Sequence, residues 1–86
     1  MPYFFYILRC SDDSLYCGMT TNLAKRLKEH NSNGPRGAKY LRAKKPVLLV
    51  YSEQYLDIKS ALRREIEVKK WSKREKEILI KTFKFI

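Results

Sequence analysis

The 86-residue sequence has little of what usually braces a small domain: two cysteines, one histidine, three glycines, three prolines and one tryptophan. Two cysteines with a lone histidine cannot close a four-ligand zinc site, which excludes structural zinc. The opening stretch MPYFFYILRC lacks the basic start and small-residue cleavage site of a secretory signal. Cys10 and Cys17 are therefore expected as reduced thiols and the chain as cytoplasmic. No apolar run approaches the roughly 20 residues of a membrane helix, so no membrane partner is expected. No repeat, low-complexity segment or linker interrupts the chain, and a single domain over 1–86 is expected. Nothing calls for a nicotinamide or a flavin.

Acidic residues are scarce as well. Nine Asp and Glu stand against nineteen Lys and Arg, a net charge of +10. Such a field attracts polyanions, either nucleic acid or an anionic surface. The excess peaks in residues 31–46, NSNGPRGAKYLRAKKP, where Arg36, Lys39, Arg42, Lys44 and Lys45 surround Tyr40 with no acid among them. A solvated loop is one reading of such a run. Phosphate contact is the other, because glycines let backbone approach a ligand closely and the charge has one sign.

Periodicity supplies the elements. YFFYILR (3–9) reads as a buried strand, Ser11 to Ser14 as a turn, and 15–20 as the returning strand of a hairpin. Thr21 or Asn22 caps a helix that ends near His30, with Asn31 as its stop. The basic connection is longer than most loops and invites a short internal helix. PVLLVYSEQY (46–55) is a third strand, Asp57 caps a helix over IKSALRREIEVKKW, and SKRE (72–75) is a capping box opening a last helix with Ile78, Leu79 and Phe83 as its apolar residues. The fold class is α+β: a small antiparallel three-stranded sheet flanked by helices, in the order ββαβαα.

Some polar residues break this pattern. Arg26 and His30 share the helix face that carries Leu23 and Leu27. In the long helix, Ile58, Ala61, Leu62 and Ile66 form an apolar stripe, and Glu65 falls within it. A carboxylate there is either marginal and paired with Lys69 one turn on, or buried against a charged partner. If Tyr6 and Tyr16 serve one cleft they must project from one sheet face, which requires an odd-length hairpin loop such as 12–14, or a bulge. A phosphodiester cleft needs a cation for developing charge, a carboxylate for a metal and a proton acceptor for water. Arg26, Glu65 and a tyrosine or His30 supply those types.

Strand FYI (5–7), strand YCG (16–18), an arginine eight residues after that glycine and a glutamate in a later helix resemble the GIY-YIG nuclease superfamily. YCGMTTNLAKRLKEHN, GAKYLRAKKPVLLVYSE and ALRREIEVKKW are similar to its small stand-alone bacterial members, and the likeness covers nearly the whole chain. The resemblance implies that Tyr6 is the tyrosine of the first signature, and that Tyr16 and Gly18 belong to the second. It implies Arg26 as the phosphate-binding arginine, His30 as an aid to proton transfer, and Glu65 as sole protein ligand of one divalent ion, Mg2+ or Mn2+. The implied reaction is metal-dependent hydrolysis of DNA, selective for structure rather than sequence, in repair or processing. The alternative is a nucleic-acid-binding or accessory module with little turnover, whose specificity comes from a protein partner. Phe5 replaces the first glycine and Cys17 the middle isoleucine. Several family nucleases carry an asparagine where this chain reads SKREKE, and no added recognition domain is expected.

Overall fold

In a computed structural model, which describes residues 1–32, 34 and 36–83, the central strand β1 (Tyr3–Arg9) pairs antiparallel with β2 (Leu15–Thr20) and β3 (Leu48–Tyr55), giving the order β2-β1-β3. Asn33 and Pro35 of the basic connection lie outside the described residues. Helices α1 (Leu23–Asn31), α2 (Ile58–Lys69) and α3 (Lys73–Lys81) complete the ββαβαα order, and a 3₁₀ turn at Lys39–Leu41 sits inside the basic connection.

From Tyr3 to Leu8 β1 carries only aromatic and aliphatic residues, because both of its faces are covered. Phe5 and Ile7 point to one side, packed with Cys17, Tyr51 and Val68 of α2 and flanked by Trp71, Leu79, Ile80 and Phe83. Tyr6 and Leu8 point to the other, packed with Cys10, Leu41 and Val47 and flanked by Tyr16, Leu23 and Leu27. Full burial of side chains such as Phe5, Ile7 and Leu8 contributes about 1.5–3 kcal/mol each. The two departures from the signature, Phe5 and Cys17, both face the α2 side, where they fill core.

The hairpin has the odd loop that the two tyrosines require. Leu8 lies opposite Tyr16 and Tyr6 opposite Gly18, so Tyr6 and Tyr16 share a face. The loop is residues 11–13, one earlier than 12–14. Asp13 N–H donates to Cys10 O at 2.9 Å, Cys10 N–H donates to Ser14 O at 2.8 Å, and Asp13 takes φ 70°. That is a type I turn followed by a left-handed residue, a position where aspartate is one of the few tolerated side chains.

The three caps are Asn22, Asp57 and Ser72, the last with the reciprocal Glu75 bond of a capping box. β3 starts at Leu48 instead of Pro46, because the Asn31 side-chain amide takes Val47: Val47 N–H donates to Oδ1 at 2.7 Å and Nδ2 donates to Val47 O at 3.0 Å. α2 ends at Lys69, two residues short of Trp71.

The expected stripe of α2 holds at Ala61 and Glu65 and fails at its three large apolar residues. Ile58, Leu62 and Ile66 are exposed, and the inward row is Ala61, Arg64, Glu65 and Val68. Glu53 is the reason. It projects from β3 toward α2 and accepts from Arg64 Nε at 2.9 Å and Nη2 at 3.0 Å, drawing the polar side of the helix inward. Ile78 of α3 is likewise exposed, while Leu79 and Phe83 pack as expected.

Candidate active site

The site is built on the α1 face of the sheet, next to edge strand β2. Tyr6 crosses from β1 over Gly18, and a Cβ at Gly18 would lie 2.4 Å from the Tyr6 hydroxyl. Glycine is needed there for space, so that the hydroxyl can occupy the edge of the sheet.

His30 is the buried residue of α1, 2% exposed, while Leu23 and Leu27 are only partly buried. His30 reaches the interior from the face it shares with Leu23 and Leu27, which themselves pack against the core on that side of the sheet. The cause lies in the basic connection. Ala38 N–H donates to His30 Nδ1 at 3.1 Å, and Gly37 packs so tightly that a Cβ would sit 2.7 Å from the Glu29 carbonyl oxygen. An N–H can only donate, so Nδ1 is the acceptor and the ring proton resides on Nε2. Nε2–H then donates to the Tyr6 hydroxyl oxygen at 2.9 Å. Burial, with help from the Arg26 charge, pushes His30 down to about 4, so the ring is neutral at pH 7.

Arg26 is braced from two sides: Nη1 donates to Glu29 Oε1 at 3.1 Å and to the Arg36 carbonyl at 2.7 Å. Its guanidinium also lies beside the Tyr6 hydroxyl. Burial raises Tyr6 to about 12, with Arg26 opposing and the charges of Tyr16 and Glu65 adding to the rise. Tyr16 sets its ring edge-on to His30, centroids 5.5 Å apart, and its hydroxyl has no hydrogen-bond partner among the described residues.

Glu65 belongs to the layer on the other side of the sheet. Its charge bears on Tyr6 from behind the β2 edge and on Cys17 as well. It is partly buried on the inward row of α2, and Lys69 Nζ is 3.0 Å from Oε2. Among the described residues no three His, Cys, Asp or Glu side chains cluster as a metal cage. The donor set fits magnesium nonetheless, since that ion keeps several waters and takes one or two carboxylates plus phosphate oxygens. Lys69 is half-exposed and the pair is worth at most about 1 kcal/mol, so the carboxylate is readily released.

The basic tract divides in two. Arg36, Lys39 and Arg42 are exposed, and among the described residues Arg36 alone of the three has an acidic neighbour, Glu29 at 4.0 Å. Lys44 is engaged with Asp12 at 2.9 Å and with the Tyr40 hydroxyl at 2.9 Å, and Lys45 Nζ donates to Ser32 O at 2.9 Å. Sequence reading missed Glu29, although its i,i+3 spacing from Arg26 is a pairing signal. It also missed the Ala38 N–H, which no side-chain pattern could reveal.

Comparison with known proteins agrees with this geometry. Residues 2–78 match the model of the GIY-YIG catalytic domain. A UPF0213 protein of Syntrophus aciditrophicus is 51% identical over 76 residues, covering 88% of this chain and 86% of the relative. One from Desulfotalea psychrophila is 46% identical over 79 residues, covering 92% and 71%. The solution NMR structure of a UPF0213 protein from Bacillus halodurans superposes with TM-score 0.61 at 41% identity, covering 95% of this chain and 85% of that one. A solution structure from E. faecalis gives TM-score 0.65 at 40% identity, covering 96% and 86%. The chain, with Tyr6, Tyr16, Gly18 and Arg26 gathered at the β2 edge of its sheet, belongs to the GIY-YIG family.

Proposed function

We propose that this protein is a metal-dependent endonuclease that hydrolyses DNA phosphodiester bonds, selective for DNA structure rather than sequence, in repair or processing. One observation carries the reading: the buried Tyr6 oxygen accepts from His30 Nε2–H at 2.9 Å and lies within the field of the Arg26 guanidinium. Both favour the Tyr6 anion against the burial that raises the phenol to about 12, and a phenolate can accept the proton of an attacking water.

In this scheme Tyr6 first gives up its own proton to solvent, a step that burial opposes and that Arg26 and a bound divalent ion would favour. The water oxygen then attacks phosphorus, its proton passes to the Tyr6 phenolate, and the bond to the leaving sugar oxygen breaks. Arg26 binds a non-bridging oxygen and holds the charge that grows there. His30 does not take a proton, because both nitrogens are committed; it is a positioning residue that aims and steadies Tyr6. Glu65 is the residue to hold a divalent ion, which when bound would neutralise phosphate charge and turn the negative field at Tyr6 positive. The free Tyr16 hydroxyl is placed to donate to a phosphate oxygen.

The test is cleavage of linear, nicked and branched DNA with magnesium, comparing wild type with Glu65→Ala and Tyr6→Phe. Metal-dependent cleavage lost in both variants supports the reading. A second reading, a DNA-binding module without turnover, is favoured by the Glu65–Lys69 pair at 3.0 Å. Binding without cleavage by the wild type on all three substrates would select it.

A further inference from the structure

Tyr40 is the one aromatic of the basic connection, and the proposed reaction gives it no task. Its ring is 52% exposed, an unusual state for a residue so firmly held. It stacks on Tyr16 with centroids 6.0 Å apart and planes 23° from parallel. Its hydroxyl is tied to Lys44 Nζ at 2.9 Å; that ammonium also lies over the ring, 4.3 Å from its centroid, and is in turn tied to Asp12 at 2.9 Å and to Ser14 Oγ at 3.3 Å on the hairpin. The backbone beneath is the 3₁₀ turn Lys39–Leu41, anchored by the fully buried Leu41. An exposed tyrosine normally samples several rotamers, and the cost of fixing one must be met at binding. Here the ring is already fixed, and Lys39 and Arg42 stand exposed on either side of it in sequence, with no ion pair among the described residues.

A preset aromatic ring, half of it exposed beside Tyr16 and the Lys44 ammonium and flanked by the exposed Lys39 and Arg42, is the recognition chemistry of a nucleobase and its phosphates. The face continues into the site, because Tyr16 beneath it touches His30, which holds Tyr6. We infer that Tyr40 is a stacking shelf for one unpaired nucleobase, adjacent to the phosphate bound at Tyr6 and Arg26. A base inside a duplex has both faces covered by its neighbours, so the shelf selects DNA with an unstacked nucleotide beside the phosphate: a tail, gap or branch. This subsite rests on the nuclease reading for its position, though its ligand can be tested without any cleavage.

The experiment is anisotropy binding without divalent metal, on a blunt duplex, the same duplex with a short single-stranded tail, and the same duplex with an abasic tail that keeps the phosphates. Wild type and Tyr40→Phe should bind the tailed duplex about tenfold tighter than the abasic-tailed one, the scale of one base–aromatic stack. Tyr40→Leu should lose that difference and keep its affinity for blunt duplex. The shelf is overturned if Tyr40→Leu weakens all three DNAs alike, which would make Tyr40 a brace for the basic connection. It is overturned too if the variant keeps the base-dependent gain, or if wild type binds duplex but gains nothing from tail bases, in which case the nuclease reading stands without it. A wild type that binds none of the DNAs removes both.

Discussion

The sheet buries a polar cluster on each face, and the two are finished differently. On the α2 side Glu53 accepts from the Tyr51 and Tyr55 hydroxyls and twice from Arg64, whose guanidinium lies 5.1 Å from the Trp71 ring centroid. Burial alone would raise the Glu53 carboxyl, but these bonds outweigh it and hold the carboxyl below its ordinary value. Every strong site on that carboxylate is filled. On the α1 side Tyr6 accepts from His30 Nε2–H, while its own proton, the Tyr16 hydroxyl and the rest of the Arg26 fork meet no hydrogen-bond acceptor among the described residues. A closed cluster can only hold two elements together; an open one has bonds left for a substrate. Substitutions on the two faces should therefore fail in different ways.

The largest effects belong to the open side. Tyr6→Phe and Arg26→Ala should each lower cleavage about a hundred- to a thousandfold, the range for removing one group that meets developing charge. Glu65→Gln should abolish magnesium-dependent cleavage while the melting temperature stays equal or rises slightly, since sites trade stability for function. DNA binding should survive all three largely intact, because the remaining basic residues carry it. Should Glu65→Gln destabilise the fold and leave cleavage intact, Glu65 is a salt-bridge residue and the metal site does not exist.

On the closed side the signs reverse. Arg64→Met strands the Glu53 carboxylate with only its two tyrosines and should cost about 2 kcal/mol of unfolding free energy in urea, the scale for a lost charged hydrogen bond at a mostly buried site. Cleavage per folded molecule should fall less than tenfold. A large loss of turnover with no loss of stability would mean that Arg64, beside Glu65 on the inward row, serves the site directly.

Much of this architecture was legible and one decisive part was not. The continuous apolar run of β1, the caps Asn22, Asp57 and Ser72, and the odd hairpin loop are local or parity arguments, and they hold because they depend on backbone chemistry alone. The inward face of α2 was illegible because the helix offers two periodic rows, and a partner on β3 decides between them: Glu53 pulls Arg64 inward and leaves Ile58, Leu62 and Ile66 outside. The proposed site could be named from the sequence as a set of residue types, Tyr6, Arg26 and Glu65. The role of His30 could not, since it depends on the Ala38 N–H arriving from the connection. Pairing of Lys44 with Asp12, on the distant hairpin, was hidden for the same reason.

Acid should separate the two faces further. His30 is lowered from 6.5 to about 4 on folding. Above pH 6.5 it is neutral in both states and contributes no pH dependence; between 6.5 and 4 the unfolded chain binds the proton and the folded one does not, so stability falls as pH falls. At pH 4.5 the loss relative to pH 7 should be about 2–3 kcal/mol from this ring. Glu53 has a depressed value, so its contribution is present above its unfolded pKa and disappears only at lower pH. Denaturant titrations of wild type and His30→Gln across pH 7 to 4.5 check this. A variant with the same pH slope as wild type would show that His30 is not the group that titrates.

The smallest effect is the most discriminating for the basic connection. Each phosphate neutralised by protein contributes about −0.9 to the slope of log affinity against log salt. Lys39 and Arg42 have no acidic partner among the described residues, whereas Lys44 already has Asp12 at 2.9 Å. A lysine whose charge is met inside the protein releases few counterions from DNA when it binds, so phosphate contact falls to Arg36, Lys39 and Arg42 in place of Lys44 and Lys45. The double replacement Lys39→Ala with Arg42→Ala should flatten the slope by nearly 2 and weaken all sequences alike. Lys44→Ala should change the slope by less than half of a single contact, while lowering the melting temperature slightly through the loss of its bonds to Asp12 and Tyr40. If Lys44→Ala flattens the slope as much as Lys39→Ala does, the Asp12 pair opens on binding and Lys44 moves to the phosphate. If no replacement in 36–45 changes the slope, DNA is held elsewhere and this segment is a solvated loop.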